Sequence, residues 1–494
     1  MMAVSPLPRR STTALVLLLV LAALLLTSAP AAPAAAAARE ANTVTSAERL
    51  AEAIAAASPG DVIEVDGGVY VGSLEIDRPL TLVGRNWPIV DGQNKGTIIT
   101  VSAPEVTIRG FHIRNSGDSL DQENSGIAVE AAGAIIAGNR FEETLFGIYL
   151  RQANRGHIED NVIHSKDLPL PRRGDPIRVW YSNDVTIVGN QVVRGRDVVL
   201  WYSERLTVRD NDVRDGRYGL HFMYCDDAVV EGNRLLDNSV GAFLMYSRRL
   251  TLRHNTISGN RGPSGYGVGL KDMDEAVIVE NVFLDNRVGA YLDGSPREVD
   301  SLGLFEGNTF AYNDIGVELL PAVRNNQFVA NSFVENEEQV AISGGGQPGD
   351  NAWTVAGVGN FWSNYAGFDA DEDGRGDIAY VSQRLFEDLM RREPALRLFR
   401  YSPAVDALDF AARAFPVVRP QPKLEDAAPL MTPRIPAAAP PLPAPEDSRS
   451  LWGWSLLLLL PGVSLLTHPL LAVLTRRESR SRYRLPLSKS QLTH

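Results

Sequence analysis

An asparagine returns through the middle of the chain at a nearly constant interval, and few folds are compatible with such a repeat. The best-spaced members are 21, 22 and 22 residues apart, at Asn190, Asn211, Asn233 and Asn255. Looser spacing extends the series to Asn139, Asn161, Asn281, Asn308 and Asn331. Short alternating runs of β-branched residues lie between them, for example Val185–Val188. Short strands at a near-fixed period indicate a solenoid.

A period of about 22 residues predicts an all-β fold, a right-handed parallel β-helix with three short strands per coil. Asparagine suits the corners because it tolerates left-handed backbone and its amide can bond the asparagine stacked on it. Residues 46–57 predict a helix over the open end, with Thr45 as its cap and Glu48 closing a capping box. A β-sandwich is the alternative, but its strands have no reason to keep this spacing.

The two ends of the chain differ in composition from its body. Residues 1–38 predict a signal peptide, because an arginine pair is followed by an apolar run and an alanine-rich cleavage region. Residues 39–415 form the predicted β-helix with its C-terminal cap, and 416–450 predict a Pro/Ala-rich linker. An uncharged apolar run predicts a transmembrane helix over 451–475. The basic tail 476–494 then lies in the cytoplasm, which leaves the body exported and anchored in the inner membrane.

Charge and cysteine content exclude several classes of function. The formal charge is −12, and because the first ten residues carry +2 and the basic tail +5, the chain between them carries −19. Such an acidic body repels nucleic acids and other polyanions and concentrates cations. The chain has one cysteine, Cys225, so an internal disulfide framework and Cys-rich zinc or iron–sulfur sites are excluded.

The repeat register converts the sequence into a surface. The residues nine positions before Asn190, Asn211, Asn233, Asn255 and Asn281 are, in that order, Tyr181, Tyr202, Tyr224, Tyr246 and Asp272. Strand alternation assigns the inner face to Val179, Leu200, Phe222 and Leu244. The outer face then carries one column, made of Trp180, Trp201, Met223, Met245 and Lys271. We refer to these five residues as the outer column.

Soft metal ligands gather on and beside the outer column. Because adjacent coils are about 4.8 Å apart, His221, Met223 and Met245 can converge on one ion. The same alternation places two further candidate ligands nearby, Cys225 and Met273. Thioether, thiol and imidazole groups together favour Cu(I). Two other interpretations stay open: the methionines could be core filler, or the exposed tryptophans Trp180 and Trp201 could mark a protein-docking surface.

A second cluster lies near the end of the repeat. Its carboxylates occupy positions 1, 3, 5 and 9 of a calcium-loop pattern with a glycine at position 6, as Asp369, Asp371, Asp373, Asp377 and Gly374. Position 12, where the pattern expects an acid, is Tyr380. The spacing predicts a structural calcium site, and a solvated acidic turn is the alternative.

The repeat together with two local motifs resembles the NosD family, the periplasmic maturation proteins of nitrous oxide reductase. The first motif is Gly219–Tyr224, followed one coil later by Gly241 and Leu244–Tyr246. The second is Gly359–Tyr365 with Gly367–Asp369 and the acidic loop. The resemblance covers roughly residues 40–415. It implies a non-enzymatic role in assembling the copper centres of the reductase. The implied partners are an ABC transporter permease and ATPase, a copper chaperone lipoprotein and nitrous oxide reductase.

A different class of function remains possible, because polysaccharide lyases and uronate epimerases also use β-helices. A lyase needs cationic side chains to neutralise the substrate carboxylate and a basic residue to remove a proton. The candidates, Arg178, Arg196 and Lys271, are few and scattered in an acidic body. A structural solenoid without any ligand is the third alternative. The sequence therefore favours a copper-binding maturation factor.

Overall fold

The structure is a computed structural model, and it describes residues 43–44, 46–343, 350–382, 389, 393–399, 402–414, 422–436 and 440–442. The predicted signal peptide, transmembrane helix and basic tail lie outside these residues. No helix within the described ranges combines the length and the apolar character that a membrane crossing requires.

Three parallel sheets run the length of the body, and each coil contributes one strand to each sheet. Sheet A has 13 strands: Thr43–Val44, Asp61–Val65, Leu80–Gly84, Thr107–Arg109, Ile135–Ala137, His157–Glu159, Thr186–Val188, Thr207–Arg209, Val229–Glu231, Thr251–Arg253, Val277–Val279, Gly303–Glu306 and Asn326–Val329. Sheet B also has 13: Val69–Val71, Ile89–Asp91, His112–Arg114, Arg140–Thr144, Val162–Ser165, Gln191–Val193, Asp212–Arg214, Arg234–Leu236, Thr256–Ser258, Val282–Leu284, Thr309–Ala311, Ser332–Val334 and Phe361–Trp362.

Sheet C has 12 strands and carries the outer column. They are Leu74–Ile76, Ile99–Val101, Ser125–Val129, Phe146–Arg151, Ile177–Trp180, Asp197–Trp201, Tyr218–Met223, Val240–Met245, Tyr266–Lys271, Val288–Asp293, Ile315–Leu319 and Glu338–Ile342. A small antiparallel pair joins Tyr380–Val381 to Glu425–Asp426. The helices are Ala47–Ala56 and Pro403–Ala414, with short 3-10 helices at Leu170–Arg172 and Pro394–Phe399. The predicted parallel β-helix is therefore confirmed.

The asparagines form a continuous ladder along one corner, which confirms their predicted stacking. In each step the backbone N–H and the side-chain amide of one asparagine both donate to Oδ1 of the next, as from Asn211 to Asn233 at 3.0 and 2.9 Å. The asparagine ladder comprises Asn139, Asn161, Asn190, Asn211, Asn233, Asn255, Asn281, Asn308, Asn331 and Asn360. These buried side chains replace the backbone pairing that the chain loses at the corner.

The left-handed backbone at this corner belongs to a different residue from the one predicted. From Asn139 to Asn331 the residue before each ladder asparagine takes the positive φ, as Asp210 does at 56° and His254 at 55°, and several coils use glycine there. The asparagine itself can then keep an extended backbone while its side chain turns inward. The prediction that the asparagine is left-handed is therefore wrong.

The N-terminal helix Ala47–Ala56 packs on the first coil through Leu50 and Ile54, which are both buried. Its cap is Ser46, whose Oγ accepts from the backbone N–H of Arg49 at 3.3 Å. The helix confirms the prediction, whereas the cap lies one residue after the predicted Thr45. The capping side chain satisfies one of the N–H groups that the first helical turn leaves unpaired.

The C-terminal end of the solenoid is closed by aromatic rings and by residues 422–436, which we name the C-terminal strap. Trp362 stacks between Phe333 and Tyr380 at 4.3 and 4.4 Å. The Asp426 carboxylate is buried and accepts from the backbone N–H of Asn360 at 2.7 Å and from Nε1 of Trp362 at 2.9 Å. Part of the segment predicted as a linker is therefore packed on the solenoid.

Candidate metal-binding face

The outer face of sheet C is built by strict alternation along each strand. Phe222 and Leu244 are buried in the core, as predicted, so the residues on either side of them point outward. Register pairing then aligns the outer column without a break: Trp180 with Trp201, Trp201 with Met223, Met223 with Met245, and Met245 with Lys271. The predicted column is therefore confirmed.

Met223 and Met245 are neighbours on adjacent coils of this face. Each ends its strand, and each is partly exposed. Register partners on parallel strands lie about 4.8 Å apart, so their flexible thioethers can reach a common point. Trp201 and Lys271 bound the pair on the two sides. The structure thus brings two soft donors together at the surface.

His221 lies on the same face, two residues before Met223, but deeper. It is 8 % exposed, and its ring contacts Trp201 and Tyr218 edge-on, with centroids 5.3 and 4.9 Å apart. Its Nδ1 lies 3.4 Å from Oδ2 of Asp197. For Nε2, the part of the chain that the structure describes supplies no hydrogen-bond partner. One ring nitrogen is thus held by a carboxylate, and the other remains available.

Asp197 is the part of the site that sequence reasoning missed. Burial disfavours its ionised form, but hydrogen bonds from Arg217 and His221 and the charge of Arg217 outweigh that effect and lower the pKa of the carboxyl. Arg217 binds Asp197 with both Nε and Nη2, at 2.8 Å for Nε. An ionised Asp197 favours the proton on Nδ1 of His221, which leaves the lone pair on Nε2. The one sequence signal for Asp197 was its position as an acidic residue at the start of an otherwise apolar strand.

Cys225 and Met273 do not belong to this face, so their predicted outward placement is wrong. Both are fully buried in the core. The Cys225 thiol donates to the carbonyl of Leu200 at 3.0 Å, and burial raises its pKa to about 12, so no thiolate is present at neutral pH. The preceding residues, Tyr224 and Asp272, have φ of 57° and 49°. A left-handed residue ends the alternation, so the next side chain turns inward.

Four tyrosines flank the outer column at the corner that follows the strands of sheet C, where the backbone is left-handed. Tyr181, Tyr202, Tyr224 and Tyr246 stack on one another, with ring centroids 4.8, 5.1 and 5.1 Å apart. We name them the tyrosine ladder. They occupy the coils that carry Trp180, Trp201, Met223 and Met245, whereas the next coil has Asp272 at this position. Each takes a positive φ, as many other corner residues of the solenoid do.

The predicted docking residues lie next to a buried ionic cluster. Trp180 and Trp201 are both partly exposed. Arg178 approaches the two indole rings, with its guanidinium carbon 5.7 and 5.9 Å from their centroids. Arg178 pairs with Glu123 at 3.1 Å, and Arg196 pairs with the buried Asp175 at 3.0 Å. These cations are therefore neutralised locally.

The acidic loop near the end of the repeat is folded as one cluster. Asp369, Asp371 and Asp373 offer carboxylate oxygens that lie within 4.8 Å of one another. The Asp377 carboxylate instead accepts from the backbone N–H of Ala370 at 2.7 Å, which closes the loop. Tyr380 is buried against Trp362 and supplies no carboxylate. The structure therefore gathers three of the four predicted calcium ligands.

Comparison with solved structures finds proteins of low sequence identity. The chain is similar to the A-module of the mannuronan C-5 epimerase AlgE6 of Azotobacter vinelandii at 15 % identity, with 62 % of this chain and 94 % of that one covered and a TM-score of 0.41. It is also similar to the surface protein and adhesin PfbA of Streptococcus pneumoniae, at 10 % identity over 60 % of this chain and 94 % of that one, with a TM-score of 0.45.

Comparison of the amino-acid sequence identifies relatives more specifically than comparison of the structure does. A family model described as "Periplasmic copper-binding protein (NosD)" matches residues 163–367, which include the whole outer column. A protein of Pseudomonas aeruginosa named "Probable ABC transporter binding protein NosD" is 31 % identical over 409 residues, which are 76 % of this chain and 88 % of that protein. A protein of the same name from Stutzerimonas stutzeri is 28 % identical over 74 % of this chain and 85 % of that protein. At this identity and coverage, the chain belongs to the NosD family.

Proposed function

We propose that this protein binds Cu(I) through His221, Met223 and Met245 and hands it on during assembly of the copper centres of nitrous oxide reductase. The observation that carries the proposal is the register pairing of the two methionines beside an imidazole whose Nδ1 is held by a carboxylate. Two thioethers and one neutral imidazole suit a soft monovalent ion. Because the thiol of Cys225 lies inside the core, none of the three proposed ligands is an anion. The affinity of the site should therefore be moderate, as a transfer site needs.

The surroundings of the methionine pair support transfer to a protein partner. Trp180 and Trp201 extend the outer column beyond the methionines, and the tyrosine ladder widens it into a strip four coils long. Large, partly exposed aromatic groups are common anchors of protein interfaces. We propose that the donor or acceptor of copper docks over Trp180 and Trp201 and excludes water from the ion. A copper chaperone lipoprotein and the reductase are the proposed occupants of this surface.

A non-enzymatic role fits this face better than uronate chemistry. The cations that a lyase or epimerase would need are already paired: Arg178 with Glu123, Arg196 with Asp175, and Lys271 with Asp293 at 2.8 Å. A substrate carboxylate placed there would have to displace an acidic side chain. The relatives named as binding proteins agree with this assignment.

The direct test is an anaerobic titration of the full-length chain with Cu(I) in competition with a chromophoric chelator. We expect one ion per chain and little competition from Zn²⁺, because thioethers are poor zinc ligands. Absence of a site that competes with the chelator would overturn the proposal.

We also propose that the body is extracytoplasmic, that the 451–475 segment anchors it in the inner membrane, and that it works with an ABC transporter permease and ATPase. A reporter enzyme that is active only outside the cytoplasm should stay inactive when fused after residue 494, because the basic tail is retained inside. The same reporter fused after residue 436 should be active. An active fusion at the C-terminus would show that the segment does not span the membrane in this direction.

Calcium is proposed as a structural ion of the acidic loop. One site at a concentration of about 100 Kd stabilises the folded state by about 2.7 kcal/mol, so calcium should raise the melting temperature. Asp371→Ala should abolish that rise. Glu372→Ala is the matched control, since it removes one charge from the same loop without removing a predicted ligand. If both variants respond to calcium as the parent does, the loop is only a solvated turn.

A further inference from the structure

Trp201 lies directly beside the proposed copper ligands on the outer face of sheet C. It ends its strand, and its register partner on the next coil is Met223. Register partners on parallel strands lie about 4.8 Å apart. The residue is partly exposed, but its Nε1 is buried, so any part of the indole that reaches the surface is carbon. An aromatic carbon surface therefore borders the methionine pair on the side of the preceding coil.

The imidazole of His221 places its available nitrogen on the side of this ring. His221 aligns with Val199, in the middle of the strand that Asp197 begins and Trp201 ends. Its Nδ1 faces Asp197. The opposite edge of an imidazole is formed by Nε2 and Cδ2, so this edge faces away from Asp197 and toward Trp201. The imidazole and indole planes are nearly perpendicular, at 89°, with their centroids 5.3 Å apart.

These distances bring an ion on Nε2 within reach of the indole. Bonds from an imidazole nitrogen to a metal ion such as zinc are about 2.0–2.1 Å long, which places the ion about 3 Å from the imidazole centroid. The two centroids are 5.3 Å apart. An ion on the Trp201 side of the imidazole therefore lies within about 6 Å of the indole centroid, the range over which an aromatic ring attracts a cation.

A cation of the protein also approaches this indole, but from another coil. The guanidinium carbon of Arg178 is 5.9 Å from the Trp201 centroid, at the limit of that range. Its charge is paired with Glu123 at 3.1 Å. Arg178 lies on the coil before Trp201, whereas Met223 lies on the coil after it. A copper ion at the methionines would therefore not have to displace the guanidinium.

We infer that the indole of Trp201 caps the Cu(I) site by a cation–π contact and makes the site selective for a monovalent ion. The inference rests on the proposed copper site. His221, Met223 and Met245 would supply three neutral ligands, and the indole would cover the remaining direction with carbon. Zn²⁺ and Cu(II) need a further ligand such as water or a nitrogen or oxygen donor, which this ring excludes. Cu(I) is satisfied by three soft ligands and gains the attraction of the ring.

The test is an anaerobic Cu(I) titration of the full-length chain, followed by tryptophan fluorescence and ultraviolet absorption. The chain has seven tryptophans, so the Trp201 signal is the difference between the parent and Trp201→Phe. One equivalent of Cu(I) should quench the emission of Trp201 and shift its absorption band, because the ion contacts the ring. Trp180→Phe is the matched control and should keep the full response, since Trp180 lies one coil farther from the methionines.

Affinity provides a second measurement. Trp201→Leu should weaken Cu(I) binding about 5- to 30-fold, and Trp201→Phe should weaken it less, because phenyl is the poorer cation–π partner but still attracts a cation. The preference for Cu(I) over Zn²⁺ should fall in the leucine variant. Unchanged Cu(I) affinity in that variant, equal losses in the two variants, or an indole spectrum that does not respond to bound Cu(I) would overturn the inference.

The outcome also separates this inference from the copper proposal. If the parent binds no Cu(I), both are overturned. If the parent binds Cu(I) and loses it in the double variant of Met223 and Met245, but its indole spectrum stays unchanged, the cap is wrong and the copper site stands.

Discussion

Replacing Met223 and Met245 together by leucine is expected to lower the Cu(I) affinity at least about 100-fold, because two of three proposed ligands are lost and even outer-shell partners are worth 10- to 100-fold. Leucine keeps the apolar volume, so the free energy of unfolding should change by less than about 1.5 kcal/mol. The measurement is the chelator competition described above, made on the full-length chain together with a urea denaturation curve.

Two buried positions provide matched controls for this experiment. Met273→Leu makes the same substitution one coil away, inside the core, and should leave the Cu(I) affinity unchanged. Cys225→Ser should do likewise, because Ser203 and Ser247 already occupy the same position on the coils before and after it. Unchanged affinity in the double variant, or a loss in either control that matches it, would place the copper site elsewhere.

The second large effect is expected at the asparagine ladder. Asn233→Ala removes the acceptor of two N–H groups of Asn211 and the donor to the carbonyls of Val208 and Glu231. Each buried polar group left unpaired costs about 1–3 kcal/mol, so the free energy of unfolding should fall by about 3–5 kcal/mol. Urea denaturation followed by circular dichroism measures the loss as a lower midpoint.

Asn183→Ala is the control for that prediction. Asn183 also bonds across coils, through Oδ1 to the backbone N–H of Glu204 at 2.9 Å, but at an exposed corner where water can replace it. Its loss should cost less than about 1 kcal/mol. Equal destabilisation by the two variants would mean that burial of the ladder does not set its contribution.

The repeat made most of this fold predictable, because period-2 alternation and a fixed interval together determine which side chains stack. Met223 and Met245 could be placed side by side from spacing alone. Cys225 and Met273 could not, since a left-handed residue ahead of each reverses the side of the sheet, and alternation contains no signal for that change. The partnership of Asp197 with His221 was also missed, because the pairing register of their two strands shifts between Asp197 and Val199.

The acidic loop and the strap illustrate a different limit. The spacing of the carboxylates predicted the cluster of Asp369, Asp371 and Asp373, because residues two positions apart in the sequence are close in space. The packing of Asp426 against Asn360 joins residues 66 positions apart and repeats no element of the coil pattern. Nothing in the composition of residues 416–450 indicates it.

The hydrogen bonds between the ladder asparagines all run in one direction along the solenoid, and the number of coils fixes the distance between any two of its parts. In every bond between ladder asparagines the acceptor lies on the C-terminal side, and the last asparagine, Asn360, donates to the carboxylate of Asp426. A whole coil could therefore be gained or lost between Met245 and the strap without changing any rung chemically. Each such event would move the methionine pair by one coil height, about 4.8 Å, relative to the strap. Coil number thus sets, in discrete steps, how far the proposed copper-binding residues lie from the C-terminal strap.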